Sequence, residues 1–170
     1  GGKALIKKIS SESKIPVIKH LDGNCHVYID SEADFKTAFD CTLNSKTQRY
    51  GVCNAAESLL IHKSFPKKSI LKILVALREH NVQIRGCKKT KSIFKQTITA
   101  KELDWYEEYL KPIIAVKIVN NIDEAIDHIE KYGSKHTDAI ITKDKGAQSR
   151  FLKEVDSSSV MVNTSTRFAD

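Results

Sequence analysis

Short apolar runs, most of them followed by an amphipathic stretch, set the strongest limit on what this chain can fold into. The runs are "NCHVYID" (24–30), "SLLIH" (58–62), "VQIRG" (82–86), "AVKIV" (115–119), "DAIIT" (138–142) and "SVMVN" (159–163). In the first, Cys25, Val27 and Ile29 alternate with His26 and Tyr28, the two-residue period of a strand. "SEADFKTAFDCTLNSK" (31–46) instead brings Phe35, Ala38, Phe39 and Thr42 onto one helical stripe, with Asp30 or Ser31 as cap. "SFPKKSILKILVALREHN" (64–81) aligns Ile70, Ile73, Leu74 and Leu77, with Pro66 in its first turn. "NNIDEAIDHIEKYG" (120–133) opens on a capping box, Asn121-x-x-Glu124, and stops at Gly133. "KDKGAQSRFLKEV" (143–155) is a further helix, and the polar stretch 87–105 reads as irregular. Strands alternating with helices predict an α/β fold, a mostly parallel sheet flanked by helices. Ligands in such sheets sit beyond the carboxyl ends of the strands.

The 170 residues are enough for one domain with a core, and 41% apolar with 29% charged is ordinary for a soluble globular chain. No run reaches the roughly 18 apolar residues of a membrane span. The N-terminal "GGKALIKKISSESK" has no signal-peptide core, so a cytoplasmic setting is expected. Cys25, Cys41, Cys53 and Cys87 are scattered without ligand spacing, which argues against structural zinc and for reduced thiols. The net charge of +7 favours an anionic partner such as nucleic acid, phosphate or a dinucleotide. No nucleic-acid motif accompanies it, so a solvated basic surface is the plainer account and no nucleic-acid partner is expected.

Among the cysteines, Cys53 in "NSKTQRYGVCNAAESLL" (44–60) has the most reactive setting. Lys46 and Arg49 lie near it, and cations favour the thiolate. A tight turn at Gly51 could present the sulfur, and the Cys53 backbone N–H could serve an oxyanion. Packing remains the commoner use of a cysteine. Cys25 and Cys41 read as core residues, and Cys87 sits in a basic loop with nothing to complete a site. In "VNTSTRFAD" (162–170), Asn163, Thr164, Ser165 and Thr166 offer short hydrogen-bonding groups. Arg167 offers a fork for a carboxylate or phosphate. A capped turn explains the same residues equally well.

Three blocks, "IPVIKHLDGNCHVYID", "NSKTQRYGVCNAAESLLIH" and "DSSSVMVNTSTRFAD", occur in this order and closely resemble the gamma-glutamyl phosphate reductases of the aldehyde dehydrogenase superfamily. The intervening "AVKIVNNIDEAIDHIEKYGSKHTDAIITKD" fits as well. The resemblance implies an NADPH-dependent reduction of L-glutamyl 5-phosphate to the semialdehyde in proline biosynthesis, through a thioester on Cys53. It implies that residues 1–15 are the tail of a dinucleotide-binding domain and 16–170 a catalytic domain lacking its C-terminal segment. An isolated piece of this kind is expected to be inactive, and the full-length protein to be a homo-oligomer acting on a small molecule. His20, in "HLDGN", stands where oxidising relatives carry the glutamate that activates water, which suits a reductase. Glu108, in "EEYLKPI", takes the place of a glutamate that binds the nicotinamide ribose, although Lys111 replaces the glycine of that motif. Substrate contacts are expected from Asn163, Ser165 and Arg167, then Lys46, Gln48, Arg49 and His20. An enzyme of the same superfamily acting on another acyl phosphate or thioester is the alternative, and a folded module without activity of its own is the non-enzyme reading.

Overall fold

The alternating pattern forms one seven-stranded sheet in the computed structural model, which describes residues 3–16 and 23–169. In chain order the elements are α1 (Lys3–Glu12), β1 (Cys25–Ile29), α2 (Phe35–Thr47), β2 (Ala56–His62), α3 (Lys67–Glu79), β3 (Gln83–Gly86), α4 (Lys88–Ile93), β4 (Ile98–Thr99), β5 (Ile113–Val119), α5 (Ile122–Tyr132), β6 (Thr137–Ile141), α6 (Lys145–Glu154) and β7 (Ser159–Val162). Short 3₁₀ turns cover Glu102–Trp105 and Thr166–Phe168. Every pairing is parallel, in the order β4-β3-β5-β2-β1-β6-β7.

Handedness explains how the helices divide. From β1 through β2 and β3 to β4 the chain steps toward one edge, and α2, α3 and α4 connect those strands. From β5 through β6 to β7 it steps the other way, connected by α5 and α6. Right-handed crossovers place the two sets on opposite faces. The alternation within strands fills both. Val27, Ile29, Leu59 and Ile61 pack with Ala38, Ile70, Ile73 and Leu74 on one side. Tyr28, Leu60 and Ile140 pack with Ala125, Ile129 and Phe151 on the other. Each such large side chain contributes about 1.5–3 kcal/mol on leaving water.

Three expectations change at element ends. Helix α2 is capped by Asp34, which accepts the Thr37 N–H at 3.0 Å, and neither Asp30 nor Ser31 caps it. Asp30 is instead buried and accepts the Tyr28 and Thr142 hydroxyls. The Asn121 side chain caps the Glu124 N–H at 3.0 Å, but the Glu124 carboxylate turns to the Asn120 N–H at 2.8 Å, so the box does not close on Asn121. The stretch 87–105 is not irregular: it holds α4, β4 and a 3₁₀ turn, all too short for a periodic signal.

Candidate active site

Cys53 is exposed and lies three residues before β2. The parallel register pairs Cys25 with Ala56 at the start of both strands, so the cysteine loop lies at their amino ends. The carboxyl-end position was expected for "VNTSTRFAD", which follows β7, whereas the thiol precedes a strand. The bend that presents it does not depend on Gly51. That residue has a negative φ, and nothing lies within 4 Å of where a Cβ would stand.

Gly23 is the glycine the site requires. A Cβ there would stand 2.0 Å from the Cys53 carbonyl oxygen and 2.6 Å from its Cα, so only glycine lets this backbone lie beneath the nucleophile. Four bonds fix that floor. The Gly23 N–H donates to Glu108 Oε1 at 2.7 Å. The Asn24 amide donates to the Trp105 and Tyr132 carbonyls, both at 2.8 Å. The buried Cys25 thiol donates to the Cys53 carbonyl at 3.1 Å. Burial, with Asp138 nearby, pushes the Cys25 thiol well above its ordinary range, which keeps it a donor.

Lys46, expected among the substrate contacts, is fully buried instead. Its ammonium pairs with Glu57 Oε2 at 2.5 Å, and neither side chain reaches solvent. Helix geometry is the reason: Lys46 lies on the inner face of α2 with Thr42 and Ser45. Burial pushes the Glu57 carboxyl up to about 7 against the pull of Lys46, and pushes the Lys46 ammonium down. The other Glu57 oxygen accepts the Leu110 N–H at 3.1 Å, at a residue held at φ 50°.

"VNTSTRFAD" divides. Asn163, at φ 54°, clips the carboxyl end of β6, its amide accepting the Thr142 N–H at 2.9 Å and donating to the Thr142 carbonyl at 3.0 Å. Ser165 is buried, bonded to the Ser45 hydroxyl at 3.1 Å, and caps the following turn through the Arg167 N–H. Both expected substrate ligands are thus engaged in holding the chain. From there the segment follows α2, and Arg167 Nε donates to Gln48 Oε1 at 2.9 Å. Gln48 and Arg49 are exposed at the start of the cysteine loop. The structure therefore leaves Gln48 and Arg49 exposed in the loop that leads to Cys53, with Arg167 on Gln48 and Glu108 on the Gly23 backbone, while Asn163, Ser165 and Lys46 are engaged by Thr142, Ser45 and Glu57. His20 lies outside the described residues. Gly23, Asn24, Cys25 and Glu57 were not singled out from sequence for this site. A signal existed for Glu57, an acidic residue opening an apolar strand, which implies a buried partner.

Among the described residues, no group of three or more His, Cys, Asp or Glu is placed to hold a metal ion. No described helix is long and apolar enough to cross a membrane.

No family model matches the chain. Solved structures do. The gamma-glutamyl phosphate reductase of Thermotoga maritima is 45% identical over the whole of this chain, with a TM-score of 0.96. This chain is a close homologue of the gamma-glutamyl phosphate reductases. The Saccharomyces cerevisiae gamma-glutamyl phosphate reductase matches over the whole chain at 36% identity and a TM-score of 0.71. The chain spans 41% and 43% of the lengths of those two proteins. An acetylating aldehyde dehydrogenase from Geobacillus thermoglucosidasius, at 21% identity over 99% of this chain and 46% of its own, shares the fold, with a TM-score of 0.75. The homologous region is thus an α/β domain of the aldehyde dehydrogenase catalytic type.

Proposed function

We propose that this chain is the catalytic part of an NADPH-dependent reductase that converts L-glutamyl 5-phosphate to L-glutamate 5-semialdehyde and phosphate, a step of proline biosynthesis. The observation that carries this reading is the 45% identity over the full chain to a gamma-glutamyl phosphate reductase. The exposed thiol on a backbone held from below supports it. In this reading residues 1–15 belong to a dinucleotide-binding domain and 16–170 to the catalytic domain, and the whole protein is a homo-oligomer.

The chemistry begins with the Cys53 thiolate attacking the acyl carbon. The carbon–oxygen bond to phosphate breaks, and a thioester forms on Cys53. NADPH, when bound, supplies the hydride that reduces the thioester carbon. The carbon–sulfur bond then breaks, releasing aldehyde and returning the thiolate. Arg167, Gln48 and Arg49 offer donors to the anionic substrate from the loop's edge. Glu108 fits a limited cofactor role. One oxygen is engaged by the Gly23 N–H, and the other makes no hydrogen bond among the described residues and can accept from a ribose hydroxyl. His20 supplies no carboxylate to activate water, so the thioester is left for reduction.

The test uses the whole protein, its Cys53→Ala variant and the isolated 170-residue chain. Formation of NADPH from glutamate semialdehyde and NADP is followed with and without inorganic phosphate. Phosphate-dependent turnover that disappears in Cys53→Ala supports the reading. Turnover without phosphate makes the enzyme a hydrolytic dehydrogenase, and undiminished turnover in Cys53→Ala removes Cys53 from the chemistry.

A further inference from the structure

The Lys46–Glu57 pair has no contact with solvent. A buried pair of this kind is a poor source of stability, because both ions lose their hydration to form it. Its position suggests another use. Glu57 stands four residues after Cys53, and its two oxygens look in different directions. One takes Lys46 from α2, and the other takes the backbone of Leu110, 53 residues away. Leu110 follows Glu108 by two residues, and Glu108 grips the Gly23 N–H under the nucleophile. The left-handed Leu110 is a conformation a leucine adopts only under constraint, and the constraint on its N–H is Glu57.

We propose that Glu57, held by Lys46, is a positioning residue for the Cys53 loop: through Leu110 and Glu108 it fixes the Gly23 backbone on which the nucleophile rests. The link runs Lys46 to Glu57, Glu57 to Leu110, Glu108 to Gly23, and Gly23 to Cys53, with the Cys25 thiol closing it on the Cys53 carbonyl. Neutralising Glu57 weakens the Leu110 bond, and the change passes to the loop. The charged and titratable groups facing Glu57 are Lys46 from α2, Cys25 from β1, and Glu108 and Tyr109 from the segment before β5. Burial pushes the Cys25 thiol and the Tyr109 phenol up, away from neutrality. This inference deepens the reading of Cys53 as nucleophile and rests on it.

The experiment uses the isolated chain. In a Cys53→Ser background, which removes the thiol's own titration, amide resonances are followed by NMR from pH 5 to 9. The expected result is one shared midpoint, near 7, for Leu110, Gly23 and residues 52–55. That shared step disappears when Glu57→Gln is added, and it survives Lys135→Met, which breaks a remote surface pair. A titration confined to Glu57, Lys46 and Leu110, with Gly23 and 52–55 still, overturns the inference. If Glu57→Gln does not fold, the Cys53→Ser chain decides alone, shared midpoint against confined one. Alkylation of Cys53 by iodoacetamide in the unmodified chain distinguishes the two readings. A Cys53 no more reactive than a thiol in a denatured chain defeats the nucleophile reading itself. A reactive Cys53 whose pH profile is identical in Glu57→Gln defeats only the positioning.

Discussion

Gly23→Ala tests how tightly the floor of the site is packed against Cys53. The added methyl would stand 2.0 Å from the Cys53 carbonyl oxygen and 2.6 Å from the Cys53 carbonyl carbon and Cα, all backbone atoms. No rotamer change relieves such a contact, so one strand of backbone must retreat by about 1 Å or more. If Gly23 moves, its 2.7 Å bond to Glu108 breaks, at a cost of about 2 kcal/mol for a hydrogen bond to a charged group. The forced shift adds about 1 kcal/mol. The sum, about 3 kcal/mol, lowers Tm by about 6–12 °C in a chain of this size. If Cys53 moves instead, the nucleophile is displaced, and a 1 Å error of that kind costs about 100-fold in turnover. Calorimetric melting of the isolated chain and turnover of the whole protein are read together, with Gly51→Ala as control because open space surrounds that position. A Gly23→Ala protein that melts like the parent and turns over like it refutes the argument.

Asn163→Ala should destabilise the chain by about 2 kcal/mol, since it removes two hydrogen bonds to Thr142 and leaves an alanine at φ 54°. Asn163→Gly relieves the backbone strain and should cost less; equal stability of all three proteins in urea, with lost substrate affinity, would return Asn163 to the site. His128 is buried against Trp105, Tyr132 and His26, and burial depresses its pKa from 6.5 to about 2. Its native form is therefore neutral, and the stabilisation it carries is complete above pH 6.5 and lost as pH falls from there toward 2. In His128→Phe the slope of stability between pH 6 and 4 should decrease by up to one proton, about 1.4 kcal/mol per pH unit, in urea titrations at several pH values; an unchanged slope would show His128 already protonated in the folded chain.

The sheet was legible because short apolar runs alternate with helices that show one clear apolar stripe, as with Ile70, Ile73, Leu74 and Leu77. The site was legible only where local sequence decides. Cys53 and its polar lead-in lie together in the chain. What the sequence hid was the use of each polar group, which depends on partners far along the chain. Nothing local says that Lys46 faces inward to Glu57, that Asn163 closes on Thr142, or that Gly23 is filled by the Cys53 backbone. The rule that ligands occupy the carboxyl ends pointed to the segment after β7 and said nothing of the cysteine loop. It describes loops that follow strands, and this nucleophile precedes one.

The position of β5 has a consequence for how the chain is made. Strands β2 and β3 are consecutive, yet β5 lies between them. During synthesis, residues 56–86 emerge well before Ile113–Val119. Until then β2 and β3 face a vacant slot about 10 Å across, two inter-strand spacings. The unpaired edges on either side belong to the most apolar part of the sheet, including Leu59, Leu60, Ile61 and Ile84. A chain that lacks everything from residue 113 onward therefore has these two open strand edges besides that of β1, the kind of surface that chaperones bind and that aggregates grow from. Arrival of β5 closes both edges in one insertion, and the same stretch of chain brings Glu108 and Leu110 beneath the cysteine loop. The floor of the thiol is thus in place before β6 arrives to cover the remaining open edge of β1.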